Sequence, residues 1–328
     1  MISMIWLEFI LCSALLIYFA YNLCREGIIL SERTNIEKGI IGMFFLAVAT
    51  SFPEIVTGAS AVFFLDKAAL GYGDIVGSII VNLMILFGID IYQGKGRILL
   101  RVSKVNRLTG VYVVILLGIV LSAAMIRSIG VSIPVIYGVG IENFLIILTY
   151  FAALKIIQRS GKREEHVPLN NERESFLSLW SKFMIFLAVV MALGVWLARI
   201  GDKIVAQTTM SETFIGTLFL GLVTSFPEII VSFAALRAGS INMAVGNILG
   251  SNMFDVCIIP FLDMLHKRPI LGAMTNAQKF ATVLVTVLSL VAVIGLYSKK
   301  ETSRKVGWDT AVIFLFGLIG FVILYYIR

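Results

Sequence analysis

Thr50-Ser51-Phe52-Pro53-Glu54 and Thr224-Ser225-Phe226-Pro227-Glu228 are the same five residues, TSFPE, and each copy sits inside a long apolar run. Both the proline and the acid are costly there. Proline lacks the N–H that a helix interior uses, and an ionised acid at the centre of a bilayer costs about 2.5–3.5 kcal/mol on insertion scales. A cluster written twice against that cost points to a role other than packing.

The surroundings are those of a membrane protein. The chain has 328 residues, of which 59% are hydrophobic and 14% charged, with a mean hydropathy of +0.96. A soluble domain carries about 25% charged residues. Here apolar runs of roughly 20 residues recur, each enough for a helix to cross a hydrocarbon core of about 30 Å. Ten spans are expected, near 5–23, 36–65, 69–91, 108–126, 133–157, 179–198, 213–236, 241–264, 280–298 and 307–327. The first has no basic residue before it and no small-residue cleavage site after it, so it reads as a retained helix rather than a signal peptide.

With both termini outside, 19 of the 27 Lys and Arg residues fall in the inside loops, and that orientation is the expected one. The polar loop 158–178 is then a short cytoplasmic linker between a first half, 1–157, and a second, 179–328. The location expected is a plasma (cytoplasmic) membrane.

Several function classes drop out. The net charge of +7 comes from short loops between spans and is no nucleic-acid footprint. Cys12, Cys24 and Cys257 are scattered in or near apolar runs and suggest neither a disulfide framework nor a metal site. His166 and His266 lie in polar connections, and no nucleotide-binding glycine motif is present. Gly71-Tyr72-Gly73-Asp74 fits the GxGD of intramembrane aspartyl proteases, but the Tyr-Asp and Pro-Ala-Leu that accompany it in those enzymes are missing. No enzymatic activity, cofactor or obligatory protein partner is expected.

The repeat extends well beyond TSFPE. Residues 41–61 and 215–235, at an offset of 174, agree at eleven of 21 positions. The next helix repeats at an offset of 173, GDIVGSIIVN from Gly73 against GNILGSNMFD from Gly246. Five spans plus five is an internal duplication. An odd number per half inverts the halves across the membrane, the arrangement of secondary transporters with a site at the midplane between the repeats.

The residue types suit a cation. Thr50 and Glu54 are four apart and share a helix face, as do Thr224 and Glu228. Each proline frees a carbonyl four residues back and kinks its helix. On the following helix Asp74, Ser78 and Asn82 form one stripe, matched by Asn247, Ser251 and Asp255. Hydroxyls, carboxylates and carbonyls form the ligand set of Ca2+ or Na+ rather than of softer metals. Asp74 stands only about five residues into its helix, close enough to the membrane surface to be hydrated, and it is also a candidate for direct cation ligation.

Paired TSFPE blocks, each followed by a G-[DN]-x-x-G-S helix, resemble the two alpha-repeats of the Na+/Ca2+ exchanger family of the cation/Ca2+ exchanger superfamily, in its compact prokaryotic form. The resemblance implies an all-α polytopic fold of ten helices in two inverted five-helix repeats. It also implies alternating access, with Na+ gradients moving Ca2+. By position, Glu54 and Glu228 would be the central Ca2+ ligands, helped by Thr50 and Thr224. Ser51, Ser78, Ser225 and Ser251, with backbone carbonyls near Ala47 and Gly221, would form flanking Na+ sites. Asn82 and Asp255 would fill the polar positions between them.

The first repeat departs from the family's G-N-x-x-G-S-N, with Asp74 for the first Asn and Ile79 for the second. That departure bears on the coupling ion, so H+-coupled exchange of Ca2+ or another divalent cation stands as the alternative. A passive cation channel is the remaining rival.

Overall fold

The computed structural model describes residues 2–33, 50–94, 97–136, 138–160, 175–237, 239–266, 268–272, 274–298 and 306–327. The described chain is helical apart from a two-residue antiparallel pairing of β1 (Val135–Ile136) with β2 (Val139–Gly140). The first half contributes α1 (Ile2–Arg33), α2 (Phe52–Phe63), α3 (Ala68–Gln93), α4 (Lys104–Ser128) and α5 (Ile141–Ser160). The second contributes α6 (Phe176–Gln207), α7 (Glu212–Thr224), α8 (Phe226–Arg237), α9 (Ile241–His266), α10 (Asn276–Tyr297) and α11 (Trp308–Tyr326).

Eight of these helices are long and apolar enough to cross a membrane, and α7 with α8 makes a ninth span, broken and bent by 41°. The tenth expected span, 36–65, is described only from Thr50 onward, where α2 supplies 12 residues. Its upstream part, most of the central linker and the Ala47 carbonyl lie outside the described residues. Two spans run well past their expected ends, α1 and α6 at 32 residues each.

Ends are set by local chemistry. Ser103 caps α4 by accepting from the Asn106 N–H, and Thr275 with Gln278 forms a capping box at α10. Gly94 closes α3 at φ 61°, a left-handed conformation that glycine adopts without steric cost.

The helices are layered by burial. α3 and α9 lie at the centre, with 72% of their apolar windows buried, against at most 50% for the other spans. α1 packs along α6 at the periphery, and α1, α5 and α11 expose Leu7, Ile10, Leu148, Leu315, Ile319 and Val322, the apolar surface that hydrocarbon covers. The two central helices are equally long at 26 residues, and Ser78 and Ser251 each stand ten residues beyond the first residue of their helix.

Two buried acids tie the ends of the central helices to the opposite half. Near the end of α3, Asp90 Oδ1 accepts from Ile98 N (3.0 Å), and Oδ2 accepts from Gly307 N and Thr310 Oγ1 (both 2.7 Å) at the start of α11. Asp263, 173 positions later in α9, accepts from Ile270 N (2.7 Å) and from Asn143 Nδ2 (2.6 Å) at the start of α5. A buried ion pair stands beside each acid. Arg97 holds Asp309 at 2.7 Å, and Arg127 grips Glu142 through Nε and Nη2 at 3.0 and 3.1 Å. The first half's central helix is thus clasped to the last span of the second, and the reverse.

Truncating one partner of a fully buried pair strands the other charge. Arg97→Ala is therefore expected to lose about 3–5 kcal/mol of stability. Lys203→Ala, which removes an exposed partner of Glu8, is expected to lose about 1 kcal/mol or less. Thermal unfolding of the detergent-solubilised variants checks the contrast.

Candidate cation-binding site

In the second TSFPE block the helix is interrupted at Ser225 and bent by 41°. A helix begins at Phe52 in the first block and at Phe226 in the second. Each proline therefore occupies the first turn of a new helix, where its missing N–H would have been unsatisfied anyway. Glu54 and Glu228 fall in those same first turns. A carboxylate there is stabilised by the positive end of the helix dipole, by about 0.3–1 kcal/mol at an exposed site and more when partly buried. In the second block Thr224 and Glu228 thus stand on either side of the bend expected from the proline.

The blocks meet the central helices of the opposite half reciprocally. Ser78 Oγ of α3 lies 3.1 Å from Thr224 Oγ1, and Ser251 Oγ of α9 lies 3.1 Å from Thr50 Oγ1. Moving Ser78 by 173 positions gives Ser251, and moving Thr224 back by 174 gives Thr50, so one contact is the image of the other. That is the pairing a pseudo-two-fold axis between inverted repeats produces.

On one flank, Ser78 Oγ also lies 3.4 Å from both Glu54 Oε1 and the Gly221 carbonyl. Thr224 Oγ1 reaches Asp74 Oδ1 and the Leu220 carbonyl, each at 3.1 Å. On the other flank, Ser51 Oγ stands 3.5 Å from Glu228 Oε1, at the long limit of a hydrogen bond. A hydroxyl carries one proton, so Ser78 and Thr224 cannot satisfy all the oxygens around them.

The excess is larger still. Glu54 Oε2, Asp74 Oδ2, Glu228 Oε2, Ser225 Oγ and both oxygens of Asp255 are buried with no hydrogen-bond partner, as are both polar atoms of Asn82 and Asn252. Four carboxylates with no solvent exposure oppose insertion by roughly 10–14 kcal/mol together. None of the four pairs with a basic residue among the described residues, so a bound cation is the compensation these oxygens can accept.

Close packing brings the flanks together. Gly73 and Gly77 of α3 lie directly on α7, where a Cβ at Gly73 would come 2.8 Å from the Thr213 carbonyl and one at Gly77 would overlap that of Thr217. From the other side, Gly216 and Gly221 of α7 lie on α3, and a Cβ at Gly221 would come 2.7 Å from Ser78 N. The facing glycines are four apart in α3 and five apart in α7. Five is the repeat of the π-helical stretch Ile215–Leu220, in which Gly221 N bonds back to Gly216 O. That widened turn carries the Gly221 carbonyl to Ser78. Outside the spans, Lys67 donates to Glu212 Oε1 (2.7 Å) at the start of α7, and this bond holds the Lys67 ammonium above its usual range.

Twelve of the thirteen residues singled out in the sequence are described, all with side chains or carbonyls in this buried region. Ala47 lies outside the described residues. Of the two positions expected for Asp74, the structure shows the buried one, with Thr224 donating to its carboxylate. Sequence reasoning passed over Asn252 and Thr57, both fully buried with unpartnered polar atoms. Their signals were the final Asn of GNILGSN and a hydroxyl three residues after Glu54.

Residues 4–154 and 178–327 match the family described as sodium/calcium exchanger protein. The chain belongs to this family and is a multi-pass membrane protein. A membrane protein of Methanocaldococcus jannaschii, MJ0091, described as uncharacterized, is 25% identical over 229 residues, 69% of this chain and 70% of its own.

Two solved structures share the fold. The H+/Ca2+ exchanger CAX superposes with a TM-score of 0.73 at 12% identity, over 98% of this chain and 86% of that one. The sodium-calcium exchanger NCX_Mj superposes with a TM-score of 0.59 at 20% identity, over 97% and 98%. Membership of the sodium/calcium exchanger family supports cation/Ca2+ exchange across a membrane as the activity.

Adding methyl groups at the α3–α7 contact must part the two backbones. Gly77→Val is expected to cost about 1–3 kcal/mol or more and to abolish Ca2+ binding. Val at Gly118, which has no atom within 4 Å of its Cβ position, is expected to leave binding intact. Ca2+ titration of both purified variants checks this.

Proposed function

We propose that the protein is an antiporter in which Na+ entry drives Ca2+ across a plasma membrane by alternating access. The site lies near the midplane between the two TSFPE blocks and helices α3 and α9. Glu54 and Glu228 bind Ca2+, with Thr50 and Thr224 beside them. Ser51, Ser78, Ser225, Ser251 and the Gly221 carbonyl hold Na+ on the flanks, and Asn82 and Asp255 complete the cage.

The observation that carries this reading is the reciprocal pair of contacts, Ser78 with Thr224 and Ser251 with Thr50, around carboxylates left with unpartnered oxygens. All ligands are hard oxygens, as Ca2+ and Na+ require. Inversion of the two halves allows one site to open to either side by exchanging the roles of the repeats. The Lys and Arg distribution supports both termini outside and the central linker in the cytoplasm.

H+-coupled Ca2+ exchange is the second reading. Asp74 favours it, since this additional carboxylate replaces an amide, and one structural neighbour is an H+/Ca2+ exchanger.

Radiolabelled Ca2+ uptake into proteoliposomes separates the two. Vesicles loaded with Na+ and diluted into Na+-free buffer are expected to accumulate Ca2+, whereas K+-loaded vesicles and a pH gradient alone are not. Glu54→Gln is expected to lower the uptake at least 100-fold. Uptake driven by the pH gradient establishes H+ coupling, and gradient-independent uptake leaves a passive channel.

A further inference from the structure

The two flanks of the site are images of one another at Thr50, Ser51, Glu54 and Ser78 against Thr224, Ser225, Glu228 and Ser251, and among the positions where they differ are 74 and 58 in the first half against 247 and 232 in the second. Asn247 turns away from the hydroxyl network. Its Nδ2 donates to the Glu228 backbone carbonyl (3.3 Å) and to Ser232 Oγ (3.0 Å), bracing the start of α8. Asp74 cannot copy this. A carboxylate has no proton for the Glu54 carbonyl, and the counterpart of Ser232 is Gly58, which has no hydroxyl and lets α2 approach α3 closely at Gly71. Asp74 turns instead into the network, where Thr224 donates to Oδ1 and Oδ2 remains buried without a partner.

The donor balance differs accordingly. Around Glu228 stand the Ser51, Thr50 and Ser251 hydroxyls, and the Asn247 amide satisfies the nearby backbone. Around Glu54 only the Ser78 and Thr224 hydroxyl protons face two carboxylates and the Gly221 carbonyl. Asp255, on α9, has two unpartnered oxygens of its own. The Glu54 flank holds two carboxylates and two unpartnered carboxylate oxygens, all fully buried.

We propose that Asp74 is a direct cation ligand peculiar to this flank, completing with Glu54, Ser78, Thr224 and the Gly221 carbonyl a five-oxygen site for an alkali cation. The loaded protein then carries one more positive charge, and moves one more monovalent cation per Ca2+, than it would with Asn at position 74. This deepens the exchanger reading and rests on it.

The experiment measures coupling rather than rate. In proteoliposomes clamped at zero voltage with K+ and valinomycin, the Ca2+ ratio at zero net flux is determined at a series of Na+ ratios. The log–log slope gives the number of Na+ ions per Ca2+. The slope for Asp74→Asn is expected to be lower by one than for wild type, and Asp74→Glu is expected to keep the wild-type value. Equal slopes for wild type and Asp74→Asn overturn the inference.

Should Asp74→Asn prove inactive, a binding measurement decides. The unfolding midpoint of the purified protein is followed against Na+ concentration, with choline as the control cation. Na+ that binds the folded state raises the midpoint. A shallower rise in Asp74→Asn than in wild type supports the site, and parallel curves overturn it. Wild-type vesicles with no cation-coupled Ca2+ flux would defeat the exchanger reading, and the binding curves would still decide the role of Asp74.

Discussion

The described structure is arranged around four carboxylates buried in an apolar interior without a basic partner among the described residues. A Lys or Arg beside Glu54, Glu228, Asp74 or Asp255 would neutralise them permanently and leave no site for a mobile ion. The basic residues that are buried stand elsewhere, and Arg97 and Arg127 are each committed to an acid of their own. Without a bound ion the site acids have only weaker compensation, namely helix N-termini and single hydroxyl protons. Such compensation can be displaced by a cation and restored when it leaves, which transport requires.

That weak compensation holds only if the surrounding backbone is fixed. Gly73, Gly77, Gly216 and Gly221 let α3 and α7 approach until the backbone of one helix touches that of the other, as small residues commonly allow between membrane helices. The Asp90 and Asp263 clasps then pin the far ends of the two central helices to the opposite halves. The stable charge pairs are thus kept at the helix ends and the unstable ones at the centre. A buried ion pair adds little net stability but is severely felt when one partner is lost, so the clasps serve registry more than stability.

Much of this was legible in the residues. TSFPE written twice, with GDIVGSIIVN against GNILGSNMFD, gives the duplication, the acids and the facing hydroxyls directly, because a polar stripe in an apolar span is too costly to persist without a ligand or a partner. The bend at the second block was legible from its proline, whereas the one-residue interruption at Ser225 was not, since periodicity cannot distinguish a proline inside a helix from one that starts a new helix. The π turn was invisible, because Ile215–Leu220 is apolar apart from Thr217 and only the packing of Gly216 and Gly221 against α3 reveals the extra residue. For Asp74, counting residues along its own helix left a hydrated and a ligating position both open, because the count could not include the neighbouring helix that carries Thr224. The clasps escaped notice because Asp90 and Gly307 are more than two hundred positions apart and meet only after folding.

Inverted repeats make two access states nearly equal in energy by construction, since exchanging the conformations of the halves converts one state into the other. Equality fails only where the halves differ, and each 1.4 kcal/mol of difference shifts the populations about tenfold. One such difference in the described site is Asp74 with Gly58 against Asn247 with Ser232. The second half spends its polar pair bracing a broken helix, and the first half leaves its counterpart unbraced and turns the charge toward the ions. Cations that bind both flanks therefore favour the two access states unequally. A ligand shifts such an equilibrium only by its differential affinity. One replaced amide can thus bias direction as well as load, without altering the fold that the two halves share.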